Sequence, residues 1–128
     1  MTVTYVLDGS GIRSLDDFWR AVGEAVNGPG GYFGRNLDSF ADCLGGGFGT
    51  PGDGDYTVEW RDHRISAEHL GHAETARRLE SLLTRGHPSH RAGVRARLED
   101  ARAGRGPTLF DELVEIFEER VPGVLRLM

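Results

Sequence analysis

The sequence predicts an α/β domain in which helices cover a small three-stranded parallel sheet, in two or three layers. Two runs rich in β-branched and aromatic residues, Val3–Leu7 and Tyr56–Arg61, read as strands, and 124–128 can form a third. Segments with the apolar periodicity of helices separate these runs. Strands that alternate with helices are joined by crossovers, so neighbouring strands are expected to be parallel.

The size and composition predict one soluble domain, residues 1–128. A chain of 128 residues suits a single hydrophobic core, and its balance of apolar residues excludes intrinsic disorder. Cys43 is the only cysteine, which excludes an intramolecular disulfide and a cysteine-based zinc cluster. The first residues lack the pattern of a secretory signal, and no window approaches the roughly 18 apolar residues of a membrane span. We therefore expect a cytoplasmic protein.

The first half of the chain predicts a strand, two helices and a second strand. Ser14 is suited to cap the first helix, which ends at Asn27–Gly31, and Asn36 is suited to cap the second, which ends at Gly45–Gly47. In the second strand, Tyr56–Arg61, aromatic and apolar residues alternate with polar ones. The residues expected to face the core from the two helices are Leu15, Phe18, Trp19, Val22 and Val26, then Leu37, Phe40, Cys43 and Leu44.

The second half predicts three more helices and the last strand. Two amphipathic, Arg-rich helices are expected at 66–85 and 89–103, within a divergent helical insertion that spans 62–107. Thr108 is suited to cap a third helix, and Pro122–Gly123 ends it before the strand at 124–128.

The charge pattern of the chain indicates which class of partner it can bind. The formal net charge is −5, and no block of like positive charge occurs. Proteins that bind nucleic acid usually carry a basic patch or stripe, so a direct nucleic-acid partner is not expected. A cationic partner suits this chain better.

Two carboxylates on the second predicted helix form the main candidate site. Asp38 and Asp42 are four residues apart, so they share one helix face and repel each other by a few tenths of a kcal/mol. Asp also has a low helix propensity, so the pair is a costly surface that a cation would stabilise. The structural alternative is that Asp38 favours the helix N-terminus and Asp42 is simply solvated.

The other candidate sites carry weaker signals. The glycine-rich loop 28–34 has neither the P-loop nor the dinucleotide pattern. The five histidines, which lack a third ligand at a diagnostic spacing, are expected at the surface: His63, His69, His72, His87 and His90. Asp38, Asp42 and Glu119 could serve as catalytic carboxylates, but the chain has no recognised hydrolase motif. We expect no enzyme, no metal and no cofactor.

The run Gly31–Leu44, followed by the strand Tyr56–Arg61, resembles the barstar family of intracellular ribonuclease inhibitors. The opening strand, the step Ile12–Ser14 into the first helix, and Leu113–Phe117 resemble that family in the same order. The resemblance implies a parallel three-stranded sheet with helices, and a binding surface made from the second helix and the loop before it.

The resemblance also implies roles for individual residues. Tyr32, Asp38 and Asp42 match positions that contact the ribonuclease, and Glu119 matches an acidic position when 114–117 is aligned without a gap. Asp42 would mimic the RNA phosphate and Asp38 would form a second salt bridge. Tyr32, with Phe33 or Gly34, would pack near the enzyme's catalytic histidine. The full expected set is Tyr32, Phe33, Gly34, Asn36, Asp38, Ala41, Asp42, Gly46 and Glu119.

The chain departs from the family at two aromatic positions. Where the type member has tryptophans on the binding helix and just after it, this chain has Ala41 and Gly47. The expected function is inhibition of a small secreted bacterial ribonuclease of the guanyl-specific class in a 1:1 complex, without direct contact to nucleic acid or membrane. The alternative is an antitoxin-like or regulatory module for a cationic partner that is not a ribonuclease.

Overall fold

The computed structural model describes residues 2–85 and 90–128. These residues contain three strands and six α-helices, joined by loops. The strands are β1 (Val3–Asp8), β2 (Tyr56–Arg61) and β3 (Leu125–Leu127). The helices are α1 (Leu15–Asn27), α2 (Leu37–Gly46), α3 (His63–His69), α4 (His72–Arg85), α5 (Arg91–Arg102) and α6 (Leu109–Arg120).

The sheet is parallel throughout, with β2 between β1 and β3. Both crossovers run in the same direction across the sheet, and because such connections are right-handed as a rule, the helices lie on one face and the domain has two layers. The Trp60 ring of β2 accordingly contacts Phe18 of α1 and Phe110 of α6, at centroid distances of 5.1 and 5.0 Å. The predicted α/β class with three parallel strands is confirmed.

The main core lies between this face of the sheet and helices α1, α2 and α6. Phe40 of α2 is fully buried and contacts Phe18 and Phe117 edge to face. At the end of the sheet, the Trp60 indole N–H donates to Ser66 Oγ, and that hydroxyl donates to the Gly9 carbonyl. This chain of two buried hydrogen bonds fixes α3 against the end of β1.

The predicted helix caps are all present. Ser14 Oγ accepts from the Asp17 N–H, and Asn36 and Thr108 each form a capping box with the residue three positions later. Asn36 is the most relevant, because its cap fixes the point at which α2 begins.

The helix predicted at 66–85 is wrong at its start and in its continuity. The chain enters α3 directly from β2, because Asp62 adopts the left-handed conformation, with φ 51°. Helix α3 ends at His69, and α4 begins at His72, after Gly71, the poorest helix former apart from proline. The break lets the fully buried Leu70 join the main core while Leu79 joins a separate cluster.

That separate cluster holds α4 and α5 together as a helical hairpin. Its buried members are Leu79, Val94, Leu98 and Ala101. The predicted second insertion helix is therefore confirmed as α5, beginning at Arg91 within the described residues. The expected start at Ser89 and the expected surface position of His87 lie outside the residues that the structure describes.

Candidate partner-binding surface

The segment before α2 is set by a close approach between a loop and a helix. Gly34 has φ +100°, and a Cβ at this position would lie 2.7 Å from the Phe40 backbone nitrogen and Cα. Only glycine permits both this conformation and this contact. The loop 31–36 is therefore held against α2, whose first turn is closed by the hydrogen bond from the Ser39 N–H to Asn36 Oδ1, 2.8 Å.

Asp38 and Asp42 are both exposed on α2, as the spacing predicts. Neither forms an ion pair of 4 Å or less with any residue in 2–85 or 90–128. Asp38 lies in the first turn, where the helix dipole favours a carboxylate. Asp42 lies beyond the first turn and has no such compensation among the described residues.

Helix α6 lies beside α2 and runs in the same direction. Phe40 contacts Phe117 at 5.2 Å between ring centroids. One turn later, the Arg120 guanidinium lies 3.5 Å from the position that a Cβ on Gly45 would take. Glu119, which is exposed, follows Phe117 by two residues just as Asp42 follows Phe40. Asp42 and Glu119 are thus exposed carboxylates on neighbouring helices.

Two exposed aromatic residues, one before α2 and one after it in the chain, contact each other. The rings of Tyr32 and Phe48 meet edge to face, with centroids 5.9 Å apart, and are 40% and 53% exposed. Asn27 Nδ2 donates to the carbonyls of both residues, at 2.8 and 3.4 Å. Gly49 must remain small here, because a Cβ would lie 2.1 Å from Asn27 Oδ1. The end of α1 therefore positions both aromatic residues.

Sequence reasoning missed Phe48. It identified Gly47 as the position where an aromatic anchor is lost, whereas the next residue supplies an exposed ring beside Tyr32. The signal available in the sequence was a lone phenylalanine between glycines, where no helix or strand periodicity requires a buried apolar side chain.

Three members of the expected contact set are buried in the free protein. Phe33 is 1% exposed because its ring packs on Phe40 in the main core. Gly34 is buried against α2, and Ala41 is 8% exposed on the inner side of the same helix. These three residues lie beneath the exposed surface, so their contact with a partner stays a prediction. The exposed members of the set are Tyr32, Asn36, Asp38, Asp42, Gly46 and Glu119.

Arginine side chains of the α4–α5 hairpin lie next to Asp38, a proximity that no pattern in the sequence indicates. Asp38 lines an open cavity of about 270 Å³ together with Arg78 of α4 and with Arg91 and Arg97 of α5. Burial lowers the pKa of Arg78, against the opposing effect of Glu112. Burial likewise raises the pKa of Glu112, although Arg78 and Arg97 oppose the rise. Charges of both signs therefore meet where the α4–α5 hairpin approaches α2 and α6.

The remaining candidates have local structural partners. The ring nitrogens Nδ1 of His63 and Nε2 of His72 each lie 2.9 Å from a backbone carbonyl, of Met128 and Gly106 respectively. Within 2–85 and 90–128, no group of three or more His, Cys, Asp or Glu residues is arranged to hold a metal ion. In the same residues, no helix has both the length and the apolar character needed to cross a membrane.

Comparison with known sequences identifies the family. A search of curated proteins finds no match. The family model described as Barstar (barnase inhibitor) matches residues 2–99. This range includes Tyr32, Phe48 and all of α2, and it continues through much of the predicted insertion 62–107. It ends before α6 and Glu119. Because the match covers well over half of the 128 residues, the chain belongs to the barstar family.

Proposed function

We propose that this protein inhibits a secreted guanyl-specific ribonuclease of the barnase kind by covering its active site. The observation that carries the proposal is the exposed carboxylate of Asp42 on α2, which has no ion-pair partner among the described residues, with the exposed Glu119 on the neighbouring helix α6. Two like charges four residues apart, Asp38 and Asp42, destabilise the free helix slightly, and a cationic partner would reverse that effect. Membership in a family described by its inhibition of barnase supports this choice of partner.

The proposed mechanism is substitution for RNA. Ribonucleases bind the scissile phosphate with cationic side chains in a concave site, and a carboxylate that enters the site meets the same side chains. Charge-assisted hydrogen bonds of this kind are short and strong, especially when a guanidinium pairs with both carboxylate oxygens. We assign the phosphate-mimicking role to Asp42, a second ion pair to Asp38, and further negative charge to Glu119.

The aromatic pair gives the proposed surface its apolar anchor. Exposed aromatic residues at the centre of an interface often contribute a large share of the binding energy. Tyr32 and Phe48 are held in place by Asn27 before any partner arrives, so little conformational entropy is lost when they become buried. Arg35, whose Cζ lies 5.8 Å from the Tyr32 ring centroid, adds a cation to this side of the surface.

The direct test is inhibition of RNA cleavage. Barnase and several other guanyl-specific ribonucleases are titrated with the protein, and cleavage of a fluorogenic oligonucleotide is followed. We expect stoichiometric loss of activity at one inhibitor per enzyme for at least one member, because a plug excludes substrate without being consumed. Absence of inhibition at micromolar protein across the panel would reject the proposal and favour a cationic partner of another class.

A further inference from the structure

The α4–α5 hairpin is anchored rather than loosely attached to the body. The Leu15 N–H at the start of α1 donates to Glu74 Oε2, 2.8 Å, and the Leu109 N–H at the start of α6 donates to Thr75 Oγ1, 2.9 Å. The second bond is buried. The first two turns of α4 thereby cap two helices of the main domain, which fixes the direction in which the hairpin projects.

The fixed hairpin places arginines beside the proposed binding surface. Arg78, Arg91 and Arg97, hereafter the arginine cluster, share with Asp38 the cavity of about 270 Å³. Arg91 and Arg97 are exposed, whereas Arg78 is half-buried. Any partner that covers Asp38 and Asp42 therefore comes within reach of the two exposed guanidinium groups.

The arginine cluster differs in its pairing from three nearby arginines, although Arg85 and Arg95 of the hairpin also lack an ion pair of 4 Å or less among the described residues. Arg77, Arg102 and Arg105 form ion pairs of 2.7 to 3.0 Å with Glu74, Glu80 and Asp100. Arg78, Arg91 and Arg97 form none of 4 Å or less with the residues that the structure describes. The exposed guanidinium groups of Arg91 and Arg97 are therefore available to bind an external group. The half-buried Arg78 interacts electrostatically with Glu112 and Asp38.

The distribution of charge over the whole chain sharpens this contrast. Residues 72–107 contain eight arginines and four acidic residues, whereas the rest of the chain contains seven arginines and sixteen acidic residues. The surface around α2 therefore carries a negative centre and a positive flank. A nucleic-acid strand has only negative charge and would be repelled by Asp38 and Asp42 as it crossed from the flank to the centre. A protein with a cationic cleft and acidic residues at its rim matches both parts.

We propose that the hairpin is a second contact region for the ribonuclease, in which Arg91 and Arg97 bind acidic side chains at the rim of the enzyme's active site. This inference rests on the proposed function and adds selectivity to it. An enzyme with an acidic rim gains ion pairs with the arginine cluster, whereas an enzyme with a basic rim meets like charge. Repulsion of the wrong partner is as effective a source of specificity as attraction of the right one.

The test compares two double variants of equal charge. Arg91→Ser/Arg97→Ser removes the exposed part of the arginine cluster. Arg64→Ser/Arg126→Ser removes two exposed arginines from α3 and β3, outside the hairpin and α2. Inhibition constants of both variants and of the parent protein are measured against barnase and other guanyl-specific ribonucleases, grouped by the charge around their active sites. Thermal unfolding by circular dichroism confirms that each variant is folded.

We expect Arg91→Ser/Arg97→Ser to inhibit acidic-rimmed enzymes at least about tenfold more weakly than the parent, and basic-rimmed enzymes equally well or better. The Arg64→Ser/Arg126→Ser control should leave the ranking of the enzymes unchanged. The inference is overturned if the hairpin variant inhibits every enzyme like the parent, or if both variants lose the same affinity. It is also overturned if fluorescent single-stranded RNA binds the parent protein and not the hairpin variant. If the parent inhibits none of the enzymes, the proposed function itself is wrong, which is a distinct result.

Discussion

Asp42 lies on the exposed face of α2, four residues after Asp38, and has no ion-pair partner among the described residues. A side chain in this position can be essential for binding and unimportant for folding. The opposite holds for Phe33, which belongs to the same sequence motif and lies in the core at 1% exposure. Within one sequence motif, some residues thus form the exposed surface and others form the core beneath it.

At residue 42, replacement by alanine should separate binding from stability. Asp42→Ala leaves cations of the ribonuclease buried without a counter-charge, which costs at least about 2 kcal/mol. We therefore expect inhibition to weaken by more than roughly thirtyfold, at about 1.4 kcal/mol per factor of ten. The unfolding midpoint should not fall, because repulsion from Asp38 is relieved. Glu68→Ala, on the exposed side of α3, removes the same charge elsewhere and is the matched control. Equal inhibition by Asp42→Ala and the parent would move the binding surface away from this face of α2.

At residue 48, loss of the ring should weaken binding through apolar contact. Phe48→Ala removes a side chain that is 53% exposed and touches Tyr32 edge to face. We expect inhibition to weaken by about tenfold or more, corresponding to about 1.4 kcal/mol or more, as for other aromatic anchors. Val6→Ala shortens another exposed apolar side chain, on β1, and should have no effect on inhibition. Retention of full inhibition by Phe48→Ala would show that the aromatic pair stays outside the complex.

The sequence predicted the exposed charged residues of the surface better than its aromatic residues. Helical spacing is enough to place Asp38 and Asp42 on one face, and Asn36 at the start of α2 was evident from its capping chemistry. No such rule covers a loop, where Tyr32 and Phe33 are neighbours and only the packing of Gly34 on Phe40 decides which ring is buried. The same absence of periodicity concealed Phe48.

Among the secondary-structure elements, α4 is joined to the main domain by two side-chain hydrogen bonds. Glu74, at the start of this helix, receives the Leu15 N–H and two hydrogen bonds from the Arg77 guanidinium, at 2.7 and 2.8 Å. The hydrogen bonds from Arg77, followed by the one from the Leu15 N–H, lower the pKa of Glu74 against the effect of burial. The Glu74 side chain thus stabilises the first turn of α4 and joins this helix to the start of α1.

The Glu74 contacts predict a pH-dependent stability. Because the folded-state pKa is below its ordinary value, the ionised carboxylate stabilises the fold above that value, and this contribution is lost as the pH falls through the folded-state pKa. Glu74→Gln should therefore lower the free energy of unfolding at pH 7 by about 1 to 2 kcal/mol. The difference from the parent should shrink in acid, as measured by urea unfolding between pH 7 and pH 3.

The matched control for this prediction is Glu80→Gln. Glu80 pairs with Arg102 at 2.7 Å, but both side chains are more than half exposed, and such surface pairs contribute little. Its removal should change stability by no more than about 0.5 kcal/mol at any pH. If Glu74→Gln and Glu80→Gln behave alike, the cap on α1 does not stabilise the domain.

The helix boundaries show why local patterns fail where two cores meet. The caps at Ser14, Asn36 and Thr108 involve neighbours in the chain, so the sequence alone predicted them. The break at Leu70–Gly71 was missed because the apolar spacing of 66–85 fits one helix. Leu70 and Leu79 belong to different hydrophobic clusters, and that division depends on contacts with residues far away in the chain.

For the whole molecule, the sequence was sufficient for the class of fold and for a sheet of three parallel strands. Three short strands separated by helices leave few arrangements once crossovers are right-handed. The position of the α4–α5 hairpin beside α2 could not be predicted, because it depends on hydrogen bonds between Glu74 and α1 and between Thr75 and α6. The same limit applies to the proximity of Asp38 and the arginine cluster.

The overall charge pattern predicts an association rate that depends on salt. A carboxylate-bearing face that must find a cationic cleft is guided by long-range attraction, which salt screens beyond about 10 Å at 0.1 M. In stopped-flow mixing with an inhibited ribonuclease, the association rate constant should fall by roughly tenfold or more between 50 and 500 mM NaCl. A rate constant that does not vary with salt would mean that apolar contacts, such as those of Tyr32 and Phe48, dominate docking.

Because the base of the α4–α5 hairpin is anchored, the length of the hairpin can change without disturbing the sheet. His72 Nε2 lies 2.9 Å from the Gly106 carbonyl, and Thr75 accepts from Leu109, so the chain leaves and rejoins the body at adjacent points. Because the closing entropy of a loop grows only by about 0.6 kcal/mol with each doubling of its length, β3 can still find β2 when the intervening segment is changed. The domain is therefore a suitable scaffold for grafting, in which a reporter peptide exchanged for the distal hairpin would sit beside Asp38 and sense an arriving protein.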